Sequence, residues 1–257
     1  MARWVVVSRE AFADKRWKGP ADFRFAAGLI VVPVSIGEMA HLGAALPLGV
    51  VDEGASARLV AVLGFPPTGN LLVDSGGRWL APGAVPALLR FYPFRLAALE
   101  GSPQKALAVD VESGLVGGEG EPFFDGSGEP SEKVLAVAKA LTRLDAELEA
   151  TARAVGALKE AGVLRPWAVQ VRLAEGEVPV EGLFRVDEAA LQEVEDRVFL
   201  ELRRAGALGA AYGQLFSLPR MGALLELARR VASAPRPSQD QDLESLLKNL
   251  DTLPLSP

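Results

Sequence analysis

The only imidazole of the chain, His41, lies in Glu38-Met39-Ala40-His41-Leu42. A Glu and a His at this spacing approach a metal-binding helix pattern but lack its second His. A Ser-His-acid triad would have to use His41, and no Ser stands in a Gly-x-Ser-x-Gly elbow. His41 is therefore expected as a surface or capping residue. With one His and no Cys in 257 residues, thiol nucleophiles, disulfides, Cys and His zinc sites and any reaction needing two imidazoles are excluded.

Carboxylate, hydroxyl, Lys, Arg and Tyr chemistry remains. Glu119, Glu121, Asp125, Glu129 and Glu132 crowd one stretch, where paired carboxylates serve acid and base roles or hold a hard cation. Their spacing is not that of a calcium loop, so a solvated acidic loop is expected. Residues 64–70, GFPPTGN, have the Gly spacing of a phosphate-binding loop. Asn70 stands where Lys is needed, however, and two prolines remove backbone donors. The pairs Ser102 with Lys105 and Ser245 with Lys248 sit in a turn and in the tail, neither a place to desolvate a Lys into a base. Trp79, Arg90, Phe91, Tyr92 and Phe94 form an aromatic concentration around an Arg, a composition shared by pockets and ordinary cores, with core the stronger expectation.

These residues are positioned by a strand-rich first half. Leu48–Val51 and Leu59–Leu63 flank Asp52-Glu53-Gly54, and Leu71–Val73 and Arg78–Leu80 flank Asp74-Ser75-Gly76-Gly77, two hairpin signatures. A short helix is expected after Pro86, ending at Pro93. Ser131 reads as the N-cap of a long helix that stops at Gly162. Along it Val134, Val137, Leu141, Leu144, Leu148, Thr151, Val155 and Leu158 recur at steps of three and four, over a length of about 45 Å. Packing along the chain's own sheet is the first expectation for this face. A homodimer seam through Val134, Leu141, Leu144, Leu148 and Val155 is the second.

A third hairpin is expected from Trp167–Leu173 and Val178–Phe184, followed by short helices opened by Asp187 and Asp196, the apolar segment Ala207–Leu218 and a final helix. Residues 233–242 have linker composition. Beyond them Leu243, Leu246, Leu247 and Leu250 would share one face of a short helix suited to a protein partner. The expected fold is α+β: antiparallel sheets with a long central helix and a C-terminal helical cluster, residues 1–232 forming one unit.

A net charge of −6 opposes nucleic-acid binding, which needs a positive field. The apolar runs at 26–36 and 42–51 are broken by Gly and Pro and fall short of a membrane span. Charges at Arg9, Glu10, Asp14, Lys15 and Arg16 interrupt any signal-peptide apolar region, so a cytoplasmic location is expected on sequence grounds.

Seven segments in order, VVVSREAF (5–12), VPVSIGEMA (32–40), GNLLVD (69–74), VPALLRFYPF (85–94), EPFFDGSGEPS (121–131), LFRVDEAAL (183–191) and LRRAGALGAAYGQLFSL (202–218), resemble the SapC family of bacterial proteins. This is not the transporter permease of the same name. The resemblance implies an association with bacterial surface layers and supplies no catalytic residue set. Relatives often carry a His just before the Val-Pro of the second segment, where this chain has Ile30 and Val31.

Two functions follow as expectations. One is a non-enzymatic accessory or binding protein, linked by the resemblance to the surface layer. The other is a small-molecule binder or enzyme using Glu38, Asn70, Trp79, Arg90 and Tyr92 with Tyr212, because polar and aromatic residues recur inside the matching segments. Neither reading calls for a metal or cofactor.

Overall fold

A computed structural model describes residues 2–54, 56–99, 101, 104–173 and 176–232. The linker 233–242 and the leucine stripe Leu243, Leu246, Leu247 and Leu250 lie outside the described residues, as do Ser102 and the Ser245 with Lys248 pair.

The fold is α+β. Its central sheet has five antiparallel strands in the spatial order Leu164–Pro166, Leu183–Val186, Leu48–Asp52, Ala57–Val62, Val31–Pro33. Strand Ala57–Val62 is buried everywhere except Arg58, so both of its faces are covered. The expected hairpin around 52–54 forms, with Val50 opposite Leu59 and Asp52 opposite Ala57. A second antiparallel sheet orders Trp4–Val6, Lys105–Asp110 and Phe94–Ala98.

Two expected hairpins differ in detail. The one around Asp74 shortens to a single bridge between Val73 and Trp79, because the Asp74 carboxylate takes the N–H groups of Gly76 and Arg78 and tightens the turn. The third forms between Val169–Leu173 and Gly176–Val180, but Leu183 and Phe184 belong to another strand, in the central sheet. Gly182, at φ +76°, turns the chain between them.

The long helix runs Glu132–Glu160, capped by the Ser131 hydroxyl accepting from the Val134 N–H, and the chain leaves it through Gly162 at φ +70°. Its length has a structural reason. Val134 and Leu141 join a core with Phe12, Phe94, Leu96, Val109 and Phe123 under the second sheet. Leu144 and Leu148 meet Ala87 midway, and Ala154, Val155 and Leu158 enter the main core of the central sheet. One helix thus splints two sheets. The five side chains considered for a homodimer seam, Val134, Leu141, Leu144, Leu148 and Val155, are between 0% and 6% exposed within this single chain. They are packing along the chain's own sheets.

Short helices follow at Glu188–Gln192 and Asp196–Arg204, then longer ones at Ala207–Ser217 and Arg220–Ala232. Helix Ala207–Ser217 lies against the long helix and the central sheet, and Arg220–Ala232 packs on strand Val169–Leu173. Among the described residues no helix is long and apolar enough to cross a membrane.

Candidate functional site

After Pro33 closes the edge strand, Ser35 and Glu38 take capping-box spacing around a short 3₁₀ turn, which folds the Glu38 side chain back over the turn. One carboxylate oxygen, Oε2, accepts from the Ser35 N–H at 3.0 Å and the Ser35 hydroxyl at 3.2 Å. The other, Oε1, accepts from the Ala87 N–H at 2.7 Å. Glu38 and Ser35 are buried, so each bond replaces one that water cannot make there. From the long helix, Thr151 Oγ1 accepts the Ile36 N–H at 2.9 Å while donating to the Glu147 carbonyl at 2.7 Å. Glu38 therefore ties the 35–38 turn to the start of the 87–90 helix, and Thr151 ties that turn to the long helix.

Three other expected residues converge on the segment 23–26, each at a different point. Asn70, buried, donates its side-chain N–H to the Ala26 carbonyl at 3.0 Å and accepts from the Leu72 N–H at 2.9 Å. Trp79 packs on Phe23 with ring centroids 5.3 Å apart, its indole N–H buried and without a hydrogen-bond partner. Tyr92 stacks on Phe25 at 4.1 Å and 7° and donates its hydroxyl to Asp110 Oδ2 at 2.8 Å. Burial, and then the Asp110 carboxylate, hold the Tyr92 phenol well above its ordinary pKa. Asp110 is itself buried and also accepts from the Arg3 and Glu112 N–H groups.

The remaining two expected residues stand apart. Arg90 is exposed. Tyr212 lies on helix Ala207–Ser217, its ring 6.4 Å from that of the exposed Phe216. The six residues thus occupy four places: the Glu38 turn, the surroundings of 23–26 with Asn70, Trp79 and Tyr92, the C-terminal helices with Tyr212, and the surface at the end of the 87–90 helix with Arg90.

The other motifs resolve individually. His41 is exposed. In GFPPTGN the glycines let two short strands touch: a Cβ on Gly64 would collide with the Gly69 carbonyl oxygen, and Gly69 has φ +70°. Lys105 is bound to Asp145 at 2.7 Å and Glu149 at 3.1 Å. Although burial opposes its charge, these carboxylates raise its pKa. In the acidic stretch Asp125 accepts from Ser127 and Glu129 within its own loop, Glu119 pairs with Lys18 and Glu121 with Lys133. Among the described residues no three acidic or imidazole groups are gathered to hold a metal ion.

Two features had no signal in the sequence. Gln214, fully buried, accepts from the Val186 N–H at 3.1 Å and donates to the Leu48 carbonyl at 3.0 Å, while Ser217 accepts the Leu48 N–H at 2.9 Å. These side chains complete the hydrogen bonding of a strand end that, among the described residues, no strand covers on that side. The second is a half-open crevice of about 190 Å³ where the two sheets meet the middle of the long helix. Pro33, Val34, Leu59, Leu148 and Ala152 give it apolar walls, and Arg58 and Lys105 stand on its rim. None of the six expected residues lines it.

Compared with known proteins, the chain matches the family model described as SapC over residues 7–224. No curated protein and no solved structure matches it.

Proposed function

The chain belongs to the SapC family, and from that premise we propose that it is a non-enzymatic accessory or binding protein associated with the bacterial surface layer. The observation that carries this reading is how Glu38 is used. Its two carboxylate oxygens accept three donors from the chain itself, at 2.7, 3.0 and 3.2 Å. A general base needs a lone pair aimed at a substrate proton; Glu38 aims its own at Ser35 and Ala87. Asn70 and the Tyr92–Asp110 pair, from other matching segments, are occupied in the same way. The surface-layer association rests on the family resemblance.

The test is complementation. In a strain of the source bacterium lacking the protein, the surface lattice seen by electron microscopy should be defective. Glu38→Gln and Tyr92→Phe should restore it in proportion to the amount of folded protein present. A variant that accumulates folded at the wild-type level yet restores nothing would show that these groups perform chemistry. A lattice unchanged by the deletion would remove the surface-layer role.

A further inference from the structure

The crevice between the two sheets and the long helix is a concavity that the Glu38 and Tyr92 networks leave unused. Its lining comes from four separate segments: the exit of the edge strand at Pro33, Leu59 of the central sheet, Lys105 of the second sheet and Leu148 with Ala152 of the long helix. A cavity of about 150 Å³ with apolar walls accommodates one benzene ring. At about 190 Å³ this one takes a single six-membered ring, or an alkyl group of that size, with a short substituent.

The charges on the rim decide what that substituent is. Lys105 is held by Asp145 and Glu149, and the Arg58 guanidinium by Glu53 at 2.9 Å. Ser56 donates its hydroxyl to the same Glu53, and Thr151 is engaged with Ile36 and Glu147. Each cation thus already faces a carboxylate of this chain. A ligand carboxylate would have to compete with Glu53, Asp145 and Glu149, and a ligand ammonium with Lys105 and Arg58, while giving up its own hydration. A hydroxyl or amide does neither, because it donates to a rim carboxylate and accepts from a rim cation without displacing the pair.

We propose that this crevice is a binding site for a small neutral molecule with an apolar, ring-sized body and one hydroxyl or amide group, the body against Leu59, Leu148 and Ala152 and the polar group at Arg58 and Lys105. The site goes beyond the surface-layer role and does not depend on it.

The experiment uses the full chain and an isosteric probe set, benzyl alcohol, benzoate and benzylamine, titrated while backbone amide NMR shifts are followed. Benzyl alcohol should give saturable shifts centred on Val34, 56–59 and 148–152, with the two charged probes weaker by about tenfold or more, the factor that ~1.4 kcal/mol of uncompensated desolvation produces. Ala152→Leu, at a half-buried helix position facing the crevice, fills it with a good helix former and should abolish the shifts. Ser56→Phe blocks the mouth from an exposed position and should do the same, so the test survives if either variant folds poorly. Absence of saturation by benzyl alcohol, shifts centred elsewhere, unchanged binding in a folded Ala152→Leu or Ser56→Phe protein, or tighter binding of benzoate or benzylamine would each overturn the proposal.

Discussion

Replacing Glu38 by Ala removes both acceptors that hold the 35–38 turn to the 87–90 helix. Two backbone donors, Ser35 N–H and Ala87 N–H, are then left in positions 0% and 5% exposed. An unsatisfied buried donor costs about 1–3 kcal/mol, so the substitution should destabilise by about 2–6 kcal/mol. Glu38→Gln is the sharper perturbation, because an amide has one acceptor. Its oxygen serves the Ser35 side or the Ala87 side, and its NH₂ group then confronts the other donor, for a loss of about 1–3 kcal/mol. At roughly 2–4 °C per kcal/mol for a chain of this size, melting should fall by about 2–12 °C. The assay is equilibrium unfolding in urea of the wild type, Glu38→Gln and Glu38→Ala. If Glu38→Gln were neutral, or cost more than Glu38→Ala, the tie between Glu38 and Ala87 would not be what stabilises this region.

Tyr92→Phe keeps the stack on Phe25 but loses the bond to Asp110, a loss of about 1–2 kcal/mol at neutral pH. The folded phenol is held above its unfolded value of about 10, so its stabilising contribution is complete below that pH and is lost as pH rises through the folded value. Urea unfolding at pH 8 and pH 11 should show the wild-type advantage narrowing, whereas a constant gap would contradict this assignment. Gln214→Leu leaves the Val186 N–H and the Leu48 carbonyl without their side-chain partner, and should cost about 2–4 kcal/mol by the same urea assay. Gly64→Ala drives a methyl into the Gly69 carbonyl, so soluble yield should collapse or the melting temperature fall by more than 5 °C, the scale expected of about 2–3 kcal/mol of backbone displacement. Phe216→Ser, at a side chain 77% exposed, should leave stability within about 0.5 kcal/mol.

The long helix was legible because its signals are local. Ser131 caps the first turn, apolar residues recur at steps of three and four, and Gly162 supplies the left-handed exit, all within 32 residues. The 52–54 turn was legible for the same reason. The third hairpin was only half legible, since alternation continues through Gly182 and does not reveal that Leu183 pairs with Val51 rather than with its sequence neighbours. In the candidate set, Glu38, Asn70 and Tyr92 stood out as ligand-binding candidates, and the partners they have within the chain were invisible. Ala87 is 49 residues from Glu38, and Ala26 is 44 from Asn70.

By itself, then, the sequence determined the chemistry excluded by one His and no Cys, the α+β class, the long helix and the turns, because composition and periodicity act over a few residues. Tertiary structure alone decided that this helix joins two sheets, that Gln214 and Ser217 finish a strand end, and that Leu59, Lys105 and Leu148 face one crevice. No periodicity links segments so far apart in the chain. Their meeting is set by which apolar faces bury together, and the polar side chains brought along take whatever donors and acceptors that burial leaves within reach.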